Sequence, residues 1–150
     1  MTLHISQALL REIWEHGSRH YPEEGAGLLL GIAQDVDRTV VKLLPVQNNF
    51  CAESRHNRYL ITPQDILAAE QHAEEIGLDV IGVYHSHPDH PARPSEYDRQ
   101  MALPWYSYLI TSVHDGQAQE SRSWRIPEDR GQMIEETMQI KEIITMEEVR

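Results

Sequence analysis

His85 and His87 stand two residues apart, and Ser95 and Asp98 follow after spacers of seven and two residues. Two imidazoles and a nearby carboxylate are the donor set of a metal site. The apolar run Val80-Ile81-Gly82-Val83-Tyr84 leads into the histidines as a strand would, and residues at i and i+2 on a strand point to one face, so both rings can share one ion. Pro88, Pro91 and Pro94 recur at every third position of the next loop, each fixing φ and lowering the entropy of turning the chain back. Ser95-Glu96-Tyr97-Asp98 has the S-x-x-D form of a capping box. The spacing therefore predicts a helix starting at Ser95, with Asp98 in its first turn facing the histidines. Two His and one Asp, with no fourth protein ligand in the pattern, form the open coordination of a catalytic zinc, since a structural zinc closes its tetrahedron. With this content of His, Ser and Asp, chance would supply the pattern in roughly one or two chains per thousand.

The elements that must position these groups can be read in order. Ser6 caps a helix running to about His16, with Leu9, Leu10, Ile13 and Trp14 on one stripe and Gly17 as its stop. In Tyr21-Pro22-Glu23-Glu24-Gly25-Ala26-Gly27-Leu28-Leu29-Leu30-Gly31-Ile32 two acids precede an apolar run of buried-strand type, and Thr39 to Leu44 reads as the returning strand of a hairpin. Gln47 to Arg58 has no periodicity and reads as a loop able to border the site. Thr62-Pro63-Gln64-Asp65 starts a helix that Gly77 stops, and Asp79 opens the histidine strand. Trp105 to Val113 and Ala118 to Ile126 are strands joined by an Asp115-Gly116 turn, the second polar enough for a sheet edge or surface. From Pro127 onward there are seven acids and three bases, and periodicity allows Met133 to Ile140 as a last edge strand or a helix of an acidic extension, the strand being favoured. Alternating strands and helices with two hairpins imply an α/β fold, a mixed sheet flanked by helices, in one domain over 1–150.

Composition narrows the function. Lys plus Arg number 13 against 24 Asp plus Glu, a net charge of −11, which argues against a nucleic-acid or anionic-membrane surface and suits a basic or polar protein partner. Lys42 and Lys141 are the only lysines, a bias that fits a high-salt cytoplasm or genome composition. Cys51 is the single cysteine, so neither an intramolecular disulfide nor a Cys-based zinc finger can be built. No run reaches the length of a membrane span, and Met1-Thr2-Leu3-His4 lacks the regions of a signal peptide; a cytoplasmic protein is expected.

His85-Ser86-His87, Ser95 and Asp98 together resemble the signature of the JAMM (JAB/MPN) zinc metalloproteases. That family also carries a glutamate in a context like P-x-E-x-x-G-x-L-x-G, which Pro22 to Gly31 matches with Glu24; Glu23 is the less favoured neighbour. Ala26 stands where the family often has cysteine. The similarity runs from about Leu3 to Ile126, and its wider context, including Arg58-Tyr59-Leu60-Ile61 and Tyr106-Ser107-Tyr108-Leu109-Ile110, is similar to the single-domain bacterial branch. The resemblance implies a cytidine-deaminase-like JAB/MPN fold, one Zn2+ per chain on His85, His87 and Asp98, and catalytic roles for Glu24 and Ser95. It also implies a substrate: the C-terminal tail of a ubiquitin-like or sulfur-carrier protein. Deamination itself is excluded, because its H-x-E with P-C-x-x-C signature needs more than one cysteine.

The chemistry follows from the residue types. Zinc lowers the pKa of bound water to about 7 and polarises a carbonyl, making that water the nucleophile. Glu24 is the expected general base, handing the proton on to the leaving amine, a function worth roughly 10²–10⁴ in rate. Ser95 caps its helix and can donate to the oxyanion, while Ser86 points away from both histidines. Two other readings stay open at this stage: a non-catalytic MPN-type scaffold, and a module that binds metal for interaction without turnover.

Overall fold

A computed structural model describes residues 1–149. Seven strands run in the order β1 (Thr2–Ser6), β2 (Ala26–Gln34), β3 (Asp37–Val46), β4 (Asp79–Pro88), β5 (Ser107–His114), β6 (Gln117–Arg125) and β7 (Ile134–Lys141). Four helices lie between and after them: α1 (Gln7–His20), α2 (Pro63–Glu75), α3 (Glu96–Met101) and the short α4 (Met146–Val149).

The sheet is mixed and flanked by helices, as expected, but it closes on itself as β1-β3-β2-β4-β5-β6-β7. The expected edges are therefore paired. β6 lies between β5 and β7, and β7 pairs antiparallel with β6 and parallel with β1. Polar alternation misled here because it reports which faces of a strand meet water, whereas an edge is defined by missing main-chain neighbours. β7 keeps most side chains outside and anchors itself by one: Glu136 is buried, accepting from Ser123 Oγ at 2.8 Å and lying 3.5 Å from Arg125 Nη1.

Two apolar layers hold the curved sheet. On one face Leu10 and Ile13 of α1 pack with Leu3, Ile5, Leu29, Val40, Ile81, Tyr84 and Leu109. On the other, Leu28, Val83, Tyr108 and Ile126 meet Ala69 of α2 and Ala102 at the end of α3. Alternation along β4 thus sends Tyr84 towards α1 and Val83 towards α2, and the histidines follow the parity of Val83.

Ser6 caps α1 by accepting from Leu9 N at 3.2 Å, but the helix runs through Gly17 to His20. Gly17 is a close-approach residue there, because a Cβ added to it would lie 3.1 Å from Ser86 Cβ. Thr62 and Asp65 close a reciprocal capping box on α2, as their spacing predicts.

Candidate metal centre

The site is built at the end of β4, which is buried from Ile81 to Pro88. β2 and β5 flank it, with Ala26 opposite His85 on one side and Ile110 on the other. From that strand His85 and His87 emerge on one face with their Nε2 atoms 3.1 Å apart. The proline-rich turn then brings back α3, whose capping box is formed: Ser95 Oγ accepts from Asp98 N at 3.0 Å and Asp98 Oδ2 accepts from Ser95 N at 2.9 Å. The same Oδ2 lies 3.1 Å from His87 Nε2 and 3.4 Å from His85 Nε2.

These atoms fit a bound cation on chemical grounds. His87 Nδ1 donates to the Pro91 carbonyl at 2.9 Å, which leaves the lone pair of a neutral ring on Nε2, facing a carboxylate. Two acceptors at 3.1 Å repel unless a cation lies between them. Burial pushes the His85 imidazole below its ordinary pKa, favouring the neutral ring that a metal requires. In the absence of a cation a ring proton can take its place: burial opposes ionisation of Asp98, but His85 and His87, when protonated, outweigh it through charge and hydrogen bonds and hold the carboxyl well below its usual range. Zinc–ligand bonds of about 2.0–2.1 Å put tetrahedral edges at about 3.3–3.4 Å. The three observed separations of 3.1, 3.1 and 3.4 Å are close to such a face.

Glu24 reaches the centre from the segment just before β2. It is 3% exposed, its Oε1 has no hydrogen-bond partner, and its carboxylate lies within 4.8 Å of the ligating nitrogens of His85 and His87. Burial, reinforced by the charge of Asp98, pushes the carboxyl up to about 9. Glu24, His85 and His87 therefore form a second possible donor set. Asp98 makes the closer contacts with the rings and has its Oδ2 fixed by the helix cap, whereas Glu24 carries the free oxygen.

Several residues without a specific supporting role on sequence grounds hold this geometry. Ser86 Oγ accepts from Gly25 N at 2.9 Å, tying the chain after Glu24 to β4. Asn48, in the loop that bordered the site on sequence grounds, is buried and donates from Nδ2 to the carbonyls of Glu24 and Arg58, each at 3.0 Å. Its Oδ1 accepts from Phe50 N and Leu60 N. Tyr59 stacks on His85 with ring centroids 4.4 Å apart. Asp89, adjacent to the metal motif, braces the turn by accepting from Tyr21 Oη at 2.6 Å and from Asp115 N. Glu24, His87 and Ser95 share one open cleft of about 450 Å³ with Asn57, Arg58, His90 and Arg93. Buried acceptors around a cation position, a protected carboxyl and an adjacent cleft can support metal-assisted hydrolysis.

Relatives agree with this reading of the fold. A 34% identical stretch of 110 residues, covering 73% of this chain and 70% of the relative, matches a protein of Thermus thermophilus named "Probable TtuB-protein conjugate cleaving protease". A 41% identical stretch of 93 residues, 61% of this chain and 63% of the relative, matches the "Desampylase" of Haloferax volcanii. The fold is also that of a JAB1/MPN domain protein from Archaeoglobus fulgidus, with a TM-score of 0.55 at 22% identity over 90% of this chain and 97% of that one. The profile described as prokaryotic homologs of the JAB domain matches residues 6–127, and the chain belongs to that family.

Proposed function

We propose that the chain, as a single metalloprotease domain, is a zinc-dependent peptidase or isopeptidase acting at the C-terminal tail of a ubiquitin-like or sulfur-carrier protein. His85, His87 and Asp98 would hold the zinc. The observation that carries the reading is the convergence of two imidazole nitrogens and one carboxylate oxygen within 3.1–3.4 Å, with the free carboxyl of Glu24 beside them. The names of the Thermus and Haloferax relatives support the substrate class.

Bound zinc supplies a Lewis acid and makes water acidic enough to attack near neutrality. With a cation bound beside it, whose charge favours the ionised carboxylate over the protonated form of the metal-free site, Glu24 would accept the proton that water gives up on attacking the scissile carbonyl, then return it to the nitrogen as the C–N bond breaks. Its burial keeps bulk water from competing for that proton. Ser95, whose oxygen accepts from Asp98 N, retains its own hydroxyl proton to donate to the oxyanion. His87 stays in the tautomer set by Pro91 throughout.

The test is a panel of ubiquitin-like and sulfur-carrier proteins bearing C-terminal extensions, treated with wild type and Glu24→Gln. Wild type should release the extension, and the variant should do so at least ~100-fold more slowly with zinc content unchanged. No release by the zinc-loaded wild type, or equal rates for the two proteins, overturns the assignment.

A further inference from the structure

At the mouth of the cleft one arginine is built in a way that the proposed chemistry leaves unused. The Arg58 guanidinium lies 4.8 Å from the ring centroid of Tyr97 and 5.9 Å from that of Phe50, and those two rings meet edge to face at 6.0 Å. Its main chain is fixed on both sides, the nitrogen donating to Ser54 O at 2.9 Å and the carbonyl accepting from Asn48. A planar cation seated on aromatic faces loses little freedom when it binds, and its edge of N–H donors stays available.

Among the described residues that edge meets no protein acceptor. Arg38, Arg55 and Arg130 donate to main-chain carbonyls, and Arg99 grips Glu96 at 2.6 Å. Among the described residues Arg58 has no side-chain hydrogen bond and no acid within ion-pairing distance, and the same holds for Arg93 across the cleft. The acids that share the cleft are committed, Glu24 by burial and Glu96 by Arg99. In a chain of net charge −11, the mouth of this cleft therefore presents two unneutralised guanidinium groups.

Resting on the peptidase reading above, we infer that Arg58 is a specificity residue that selects tails carrying a carboxylate side chain shortly before the scissile bond. The paired N–H edges of a guanidinium match a carboxylate in two parallel hydrogen bonds, a geometry that a lone main-chain carbonyl cannot fill. Arg93 adds positive field across the same opening.

The experiment uses zinc-loaded full-length protein and one carrier bearing a glycine-ended tail. A single Glu is moved from the second to the sixth residue before the cleavage point, with Gln and Lys controls at each place. At one position wild type should favour Glu over Gln by about tenfold in kcat/KM, chiefly through KM, and Lys should be worst. Arg58→Gln should erase that order while cleaving the Gln tail within about twofold of wild type, and Arg58→Glu should favour Lys. Equal loss on every tail, or an unchanged order in Arg58→Gln, overturns the inference. Direct binding of the same tail peptides is measured in parallel. If wild type cleaves nothing, the peptidase reading falls, yet a Glu-over-Gln binding preference that disappears in Arg58→Gln still upholds the Arg58 role. Its absence removes that role too.

Discussion

The side-chain amide of Asn48 donates to the main-chain carbonyl of Glu24 at 3.0 Å, so a loop residue holds the backbone of the proposed base. All four hydrogen bonds of that amide are made within the protein, two given and two received. Asn48→Ala strands two carbonyls and two N–H groups around a buried site, and should cost about 2–3 kcal/mol in denaturant unfolding. It should also lower kcat more than it raises KM, since the base moves while the cleft stays open. A variant as stable and active as wild type would remove Asn48 from the support of Glu24.

Burial of Glu24 makes the metal-free protein sensitive to alkali. Its carboxyl goes from 4.5 in the unfolded chain to about 9 in the fold, so the folded state keeps a proton that the unfolded state gives up. The stabilisation is complete below pH 4.5 and drains away as pH rises towards about 9. Metal-free Glu24→Gln should therefore be more stable than metal-free wild type at neutral pH by up to about 3 kcal/mol, and the two should converge in acid. Urea melts of chelated samples at several pH values measure it. A variant no more stable than wild type at pH 8 defeats the prediction.

His16 acts with the opposite sign. Burial, helped by His20 and Arg19, lowers its pKa from 6.5 to about 4, so the unfolded chain binds a proton that the fold refuses. The corresponding stability is present above pH 6.5 and is lost as pH falls towards about 4. Its ring lies edge to face against Tyr84 at 5.7 Å, one residue before His85, and phenylalanine can keep that contact. In a Glu24→Gln background, which removes the competing slope, His16→Phe should flatten the fall in melting temperature between pH 6.5 and 4.5. An unchanged profile would show that His16 is protonated without cost.

Asp98 has two duties, which separate experimentally. Its Oδ2 receives both the Ser95 N–H and the approach of the His rings, so Asp98→Ala loses a helix cap together with the proposed zinc ligand. Purified wild type should carry about one zinc per chain, and His85→Ala, His87→Ala and Asp98→Ala should each lose it. In the chelated protein Asp98→Ala should in addition lose its helix cap, about 1 kcal/mol, whereas His85→Ala and His87→Ala lose the Tyr59 stack and the Pro91 hydrogen bond instead. Undiminished zinc in all three variants, read by elemental analysis, excludes the site.

How far the chain could be read follows from the range of the interactions. The His85, His87, Ser95, Asp98 arrangement was legible because strand parity and a capping box are local geometry, and both formed at the expected residues. The hairpin from Ala26 to Val46 and the α2 cap were legible for the same reason. β1 went unread because its five residues merge into a helix-capping pattern at Ser6. Gly17 looked like a helix stop, since nothing in the sequence announces that Ser86, far along the chain, needs its missing side chain. Asn48 and Tyr59 were invisible as supports for similar reasons: a loop amide and a loop aromatic acquire meaning only once Glu24 and His85 are beside them.

Barrel closure has a consequence for how molecules of this protein meet one another. β1 and β7 join in five parallel register pairs from Thr2↔Thr137 to Ser6↔Lys141, while the family profile spans residues 6–127, so this clasp lies almost wholly outside the shared segment. Opening it would bare a hydrogen-bonding row on each side of the gap, and β7 of one copy could then zip onto β1 of another. Such exchange predicts that the full chain, partly opened in mild denaturant at high concentration and then returned to buffer, elutes in part as dimers or longer arrays, and elution as a single-chain species alone would exclude it.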